Sequence, residues 1–123
     1  MGVGTGGTLL GVGRALHKAN VPARVVAVEP DGSAVMSGDA PGRHGIQGLA
    51  DVIIPDLIKL DEIDQIVRIS TADAVAAAEN LAREEGLLVG NISSMRMRVA
   101  RRLWCASRST TSVMPSGFTS VTV

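Results

Sequence analysis

The chain has 123 residues, 46% of them hydrophobic and 20% charged, and its twelve basic side chains cancel its twelve acidic ones. That balance fits one soluble globular domain and excludes a disordered chain. With one tryptophan, one phenylalanine, no tyrosine and a single cysteine, the chain offers no base-stacking platform and no internal disulfide. No eighteen-residue apolar run or charged-then-apolar leader is present, so neither membrane nor nucleic-acid partners are expected, and the cytoplasm is the expected location.

In chain order, the first feature is "MGVGTGGTLL", in which six of the seven residues from Gly2 to Thr8 are glycine or threonine. Backbone N–H groups in such a turn can converge on an anion because no Cβ blocks the approach, and the following helix adds its positive end. Thr5 and Thr8 supply hydroxyls, so a phosphate site is the reading preferred over a merely tight turn. Leu9, Val12 and Leu16 have helical spacing, predicting a helix from about Thr8 to Ala19 that ends at Asn20. "ARVVAVEP" reads as a buried parallel strand closed by Pro30.

The glycine- and proline-dense stretch from Asp31 to Ile58 reads as a long functional excursion, and "DQIVRIS" as a second strand. Ser70 or Thr71 caps a helix with Val75, Ala78, Leu81 and Ala82 on one face and Gly86 as its stop. "LLVG" reads as a third strand. The order predicts α/β architecture, a partial open parallel sheet with flanking helices.

Composition changes at Asn91. All twelve acids precede Gly90, whereas residues 91–123 carry five arginines and no acid. Residues 1–90 are therefore read as a partial α/β domain and 91–123 as a divergent basic tail, frame-shifted or disordered. An amphipathic helix with Met95, Val99 and Leu103 on one side is the alternative for "MRMRVARRLWCASR". Cys105, without an identified base, is read as incidental.

Four ordered stretches, "GVGTGGTLLGVGRAL", "VVAVEPDGSAVMSG", "PGRHGIQGL" and "NLAREEGLLVG", resemble the second half of the cysteine synthases. These are pyridoxal-phosphate enzymes of the tryptophan synthase β fold, fold type II. The resemblance covers roughly Gly2 to Ser94. It implies that Gly4, Thr5, Gly6, Gly7 and Thr8 hold the phosphate of pyridoxal 5'-phosphate. It also implies that Gln47 and Gly48 border the substrate side, and that Ser93 partners the pyridine nitrogen. Two departures stand out: Ala50 where the family motif ends in glycine, and Met95 where another glycine is expected.

The resemblance further implies β-replacement, in which sulfide displaces the leaving group of a small substrate such as O-acetylserine, in a homodimeric enzyme. The family's Schiff-base lysine and its Ser/Thr/Asn substrate loop precede the glycine loop. Lys18 and Lys59 match neither, and neither His17 nor His44 is assigned a role, so no catalytic residue and no metal ligand is assigned here. The chain is expected to be a C-terminal fragment that begins inside a larger enzyme and is inactive alone. Two rivals stand beside this reading. One is a dinucleotide-binding module using Gly2, Gly4 and Gly7 with Glu29 as the ribose acid; the other is a basic-tail interaction protein.

Overall fold

The computed structural model describes residues 1–49 and 54–109. Ala50 and residues 110–123, including Phe118, lie outside them, as does the side chain of Cys105.

Helix α1 (Gly7–Lys18) is followed by strand β1 (Val26–Pro30), two short 3-10 turns at Asp31–Ser33 and Val35–Ser37, a third at Leu60–Glu62, strand β2 (Gln65–Ile69), and helices α2 (Thr71–Glu85) and α3 (Asn91–Ser109). The strands run parallel, in register from Val26 opposite Gln65 to Pro30 opposite Ile69. The other edge of β1 is also taken. Gly2 bridges Val28 in parallel, the Val28 N–H donates to the Met1 carbonyl at 2.7 Å, and the Val3 N–H donates to the Val28 carbonyl at 3.2 Å. The glycine loop is therefore entered from a short sheet-paired segment, an element that hydrophobic patterning over three residues could not announce.

Alternation along the strands sorts the core into two layers. Ala27 and Ile66 face a cluster with Val3, Leu9 and Ile58 on the α1 side. Val26, Val28, Val67 and Ile69 face Ile46, Leu49, Ala74, Met95 and Val99 on the α2 and α3 side. The result is a sheet covered on both faces, as parallel strands require.

Helix α2 follows its sequence signals at both ends. Ser70 caps it, the Ser70 Oγ accepting from the Asp73 N–H, and Gly86 ends it in the left-handed region at φ 68°. Its buried face differs from the expected one: Ala74, Ala77 and Leu81 point inward, while Val75 is exposed. Helix α3 packs on this face, where the buried Ser94 hydroxyl donates to the Ala74 carbonyl at 3.0 Å.

Two further expectations give way. "LLVG" is no strand: Leu87 to Gly90 is an irregular connection between α2 and α3, with Leu88 91% exposed and no pairing partner among the described residues. The stretch after Gly90 is not a separate tail through Ser109. It forms α3, whose Met95 and Val99 are buried in the main core with Leu103 packed against them. The charge asymmetry has a local outlet here, since Arg98 pairs with the Asp73 carboxylate at 3.0 Å and Arg101 with Glu84 at 3.5 Å. Among the described residues, no helix is long and apolar enough to cross a membrane.

Candidate functional site

Gly6 is the N-cap of α1 and sits at φ 81°, in the left-handed region that favours glycine. A Cβ there would also lie 2.4 Å from Ile58 Cγ1, so the position disfavours a side chain on two counts. The first helical hydrogen bond runs from the Leu10 N–H to the Gly6 carbonyl at 3.0 Å. N–H groups ahead of it have no intrahelical acceptor. Gly6 has no side chain with which to cap this end and no acid lies in the first turn, so neither the cap residue nor that turn neutralises its positive potential. Thr5 and Thr8 are both exposed beside it.

Two other segments close on this loop. Gln47 and Gly48 form an exposed turn with Gly48 at φ 78°. A Cβ on Gly4 would lie 3.0 Å from the Gly48 carbonyl oxygen, and one on Gly2 would lie 2.8 Å from Leu49 Cδ2 and 3.4 Å from Ile92 Cγ2. A Cβ on Gly48 would in turn lie 3.3 Å from Ile92 Cδ1. The glycine loop, the Gln47–Gly48 turn and the first turn of α3 thus meet, and glycines at the contacts permit the approach. Ser93 lies in that first turn and is exposed; its neighbour Ser94 is buried, its hydroxyl committed to Ala74 and, at 2.9 Å, to the Asn91 carbonyl.

Residues set aside in the sequence remain apart from this site. His17 and Lys18 are exposed in the last turn of α1, and Lys59 is exposed. The His44 Nδ1 accepts from the Ile46 N–H at 3.3 Å, a contact within its own loop. No group of three or more metal-ligating side chains occurs among the described residues.

Glu29 decides against the dinucleotide reading. It is 1% exposed, and its carboxylate accepts from the Met36 N–H at 2.9 Å and from the Ser37 hydroxyl. A ribose acid must face solvent where the ligand lies; this one is spent on its own chain. Leu57, half-exposed and 3.8 Å from the position of a Gly7 Cβ, borders the loop and was not singled out in the sequence, because a lone leucine in an aperiodic stretch carries no signal.

The two-faced sheet and the glycine loop at the start of α1 define an α/β protein with a glycine-capped, acid-free helix end. The family model for pyridoxal-phosphate dependent enzymes matches residues 1–113, and the chain belongs to that family. The matched range extends beyond Gly90. A cysteine synthase of Staphylococcus aureus is 43% identical over 89 residues, covering 72% of this chain and 29% of the relative. Among solved structures, a cysteine synthase of Entamoeba histolytica superposes with a TM-score of 0.75 at 38% identity, over 78% of this chain and 28% of the other. A hydrogen sulfide-producing enzyme of Fusobacterium nucleatum, complexed with an α-aminoacrylate intermediate, gives 0.78 at 34% identity, over 98% and 33%. The fold is therefore that of fold type II pyridoxal-phosphate enzymes. The chain spans somewhat under a third of the length of the curated relative it matches.

Proposed function

We propose that this chain provides the phosphate-gripping part of a pyridoxal-phosphate site in an enzyme of the cysteine synthase type. In this reading Gly4, Thr5, Gly6, Gly7 and Thr8 hold the phosphate through backbone N–H groups and two hydroxyls. Gln47 and Gly48 border the substrate, and the Ser93 hydroxyl faces the pyridine nitrogen. The donor set fits a dianionic ester: an uncapped helix end without acids, flanked by a loop that admits close approach only because Gly6 lacks a Cβ. The cofactor, when bound, supplies an electron sink for bonds to the substrate's α-carbon. A neutral serine opposite its ring nitrogen would limit how strongly the ring withdraws electrons.

The reaction proposed for the enzyme type is replacement of the leaving group of an activated serine such as O-acetylserine by sulfide, in a homodimeric cytoplasmic enzyme. The role proposed for this chain is narrower: binding and orientation of the phosphate by the glycine loop and, through the Gln47–Gly48 turn, a border on the substrate side. One observation carries the reading, namely the convergence of the glycine loop, the Gln47–Gly48 turn and the Ile92–Ser93 turn in a member of this family. The test is equilibrium binding of pyridoxal phosphate to the purified chain. Thr5→Ala and Thr8→Ala should each weaken it about tenfold, the loss expected for one hydrogen bond to a charged group. No cysteine should form from O-acetylserine and sulfide with this chain alone; measurable turnover would refute the assigned division of labour.

A further inference from the structure

Glu29 is among the most deeply buried charged side chains of the described residues, and the site outlined above makes no use of it. Burying a carboxylate is costly unless hydrogen bonds compensate. Here both oxygens are engaged, Oε2 by the Met36 N–H at 2.9 Å and Oε1 by the Ser37 hydroxyl. What the carboxylate holds is the second 3-10 turn, Val35–Ser37, at the far end of the excursion that leaves β1.

From that turn the chain reverses at Gly38, φ 93°, and returns along its outgoing leg. The Ser33 Oγ accepts from the Gly42 N–H at 3.3 Å. A Cβ on Gly42 would lie 2.2 Å from the Gly32 oxygen and one on Gly32 would lie 2.6 Å from the Arg43 oxygen, so the two legs touch backbone to backbone. The Gly45 N–H then donates to Thr71 Oγ1 at 2.9 Å, and Ile46, fully buried, enters the core. Gln47 and Gly48 follow at once. Arg68 reaches Asp31 and Asp39 from outside, but these groups are exposed and such pairs contribute little. The charge-assisted bonds of the buried Glu29 carboxylate are the stronger hold.

We infer that Glu29 is a positioning residue: by pinning Ser37 it fixes the return leg of the excursion, and so sets the Gln47–Gly48 turn against the glycine loop. The inference rests on the pyridoxal-phosphate reading of the site for its functional consequence, though not for its geometry.

The test uses the full chain and two probes, inorganic phosphate and pyridoxal phosphate. Phosphate reports on the glycine loop alone, whereas the preference for pyridoxal phosphate over phosphate reports on contacts beyond it. Ser37→Ala and Glu29→Ala should lower that preference about threefold or more, with phosphate affinity held within about twofold, as loss of one positioned contact implies. General loosening of the fold would move both affinities together. Glu29→Gln keeps an acceptor for the Met36 N–H and should restore most of the preference. An unchanged preference in both alanine variants would overturn the proposal. Failure of the unmodified chain to bind either probe would instead overturn the reading of the site. In that case the geometry is still tested without ligand: Ser37→Ala, at an exposed position tolerant of change, should shift the amide resonances of Gly48 and Leu49, and unchanged resonances would overturn the positioning role.

Discussion

The glycine loop and the α2–α3 seam lie on different parts of the sheet and are held by opposite means. At the loop, shape comes from side chains that are missing: Gly6 at φ 81° over Ile58, Gly4 against the Gly48 carbonyl, Gly2 against Leu49 and Ile92. At the seam it comes from side chains that interlock: Met95 and Val99 on the core, Ser94 on Ala74, Arg98 and Arg101 on Asp73 and Glu84. A protein can thus place its proposed ligand grip where glycine backbone lets neighbouring segments approach closely, and draw its stability from elsewhere.

Substitutions at the seam and at the loop should therefore separate stability from binding. Met95→Ala removes a fully buried side chain and should cost about 2–5 kcal/mol of unfolding free energy in denaturant titration. The protein that remains folded should bind phosphate unchanged. Gly6→Ala meets both a left-handed backbone and Ile58, and should cost about 2–4 kcal/mol and abolish phosphate binding. Gly86→Ala is the control for backbone conformation alone. With φ 68° and nothing within 4 Å of a new Cβ, it should cost about 1 kcal/mol and leave binding intact.

A smaller effect sharpens the contrast on the surface. Arg98→Ala breaks an exposed pair with Asp73 and should cost about 0.5 kcal/mol, a loss that high salt should mask.

How much of this was legible in the sequence follows from the same contrast. The glycine loop, both strands and the ends of α2 could be read because they depend on local signals: glycine where φ is positive, β-branched runs, the Ser70 cap and the Gly86 stop. Four ordered motifs made the family legible as well. The third strand was misread because four apolar residues satisfy a strand pattern whether or not an edge awaits them; Leu88 points into solvent instead. The role of α3 was obscured because a change of composition marks neither a packing boundary nor disorder. Met95, Val99 and Leu103 had the right spacing, but the acids that meet Arg98 and Arg101 lie about twenty residues earlier, on another helix. Glu29 is a ligand acid only in the rival dinucleotide reading, and its partners, seven and eight residues on, are invisible to any local pattern.

The most direct test of the account is a titration of the isotopically labelled chain with inorganic phosphate, followed by amide chemical shifts. Saturable shifts are expected, confined to the amides of Gly4 through Thr8 and their immediate neighbours at Gly48, and weakened by Thr5→Ala and by Thr8→Ala. Shifts that do not saturate, or that centre on the arginines of α3 while the glycine loop stays silent, would contradict it.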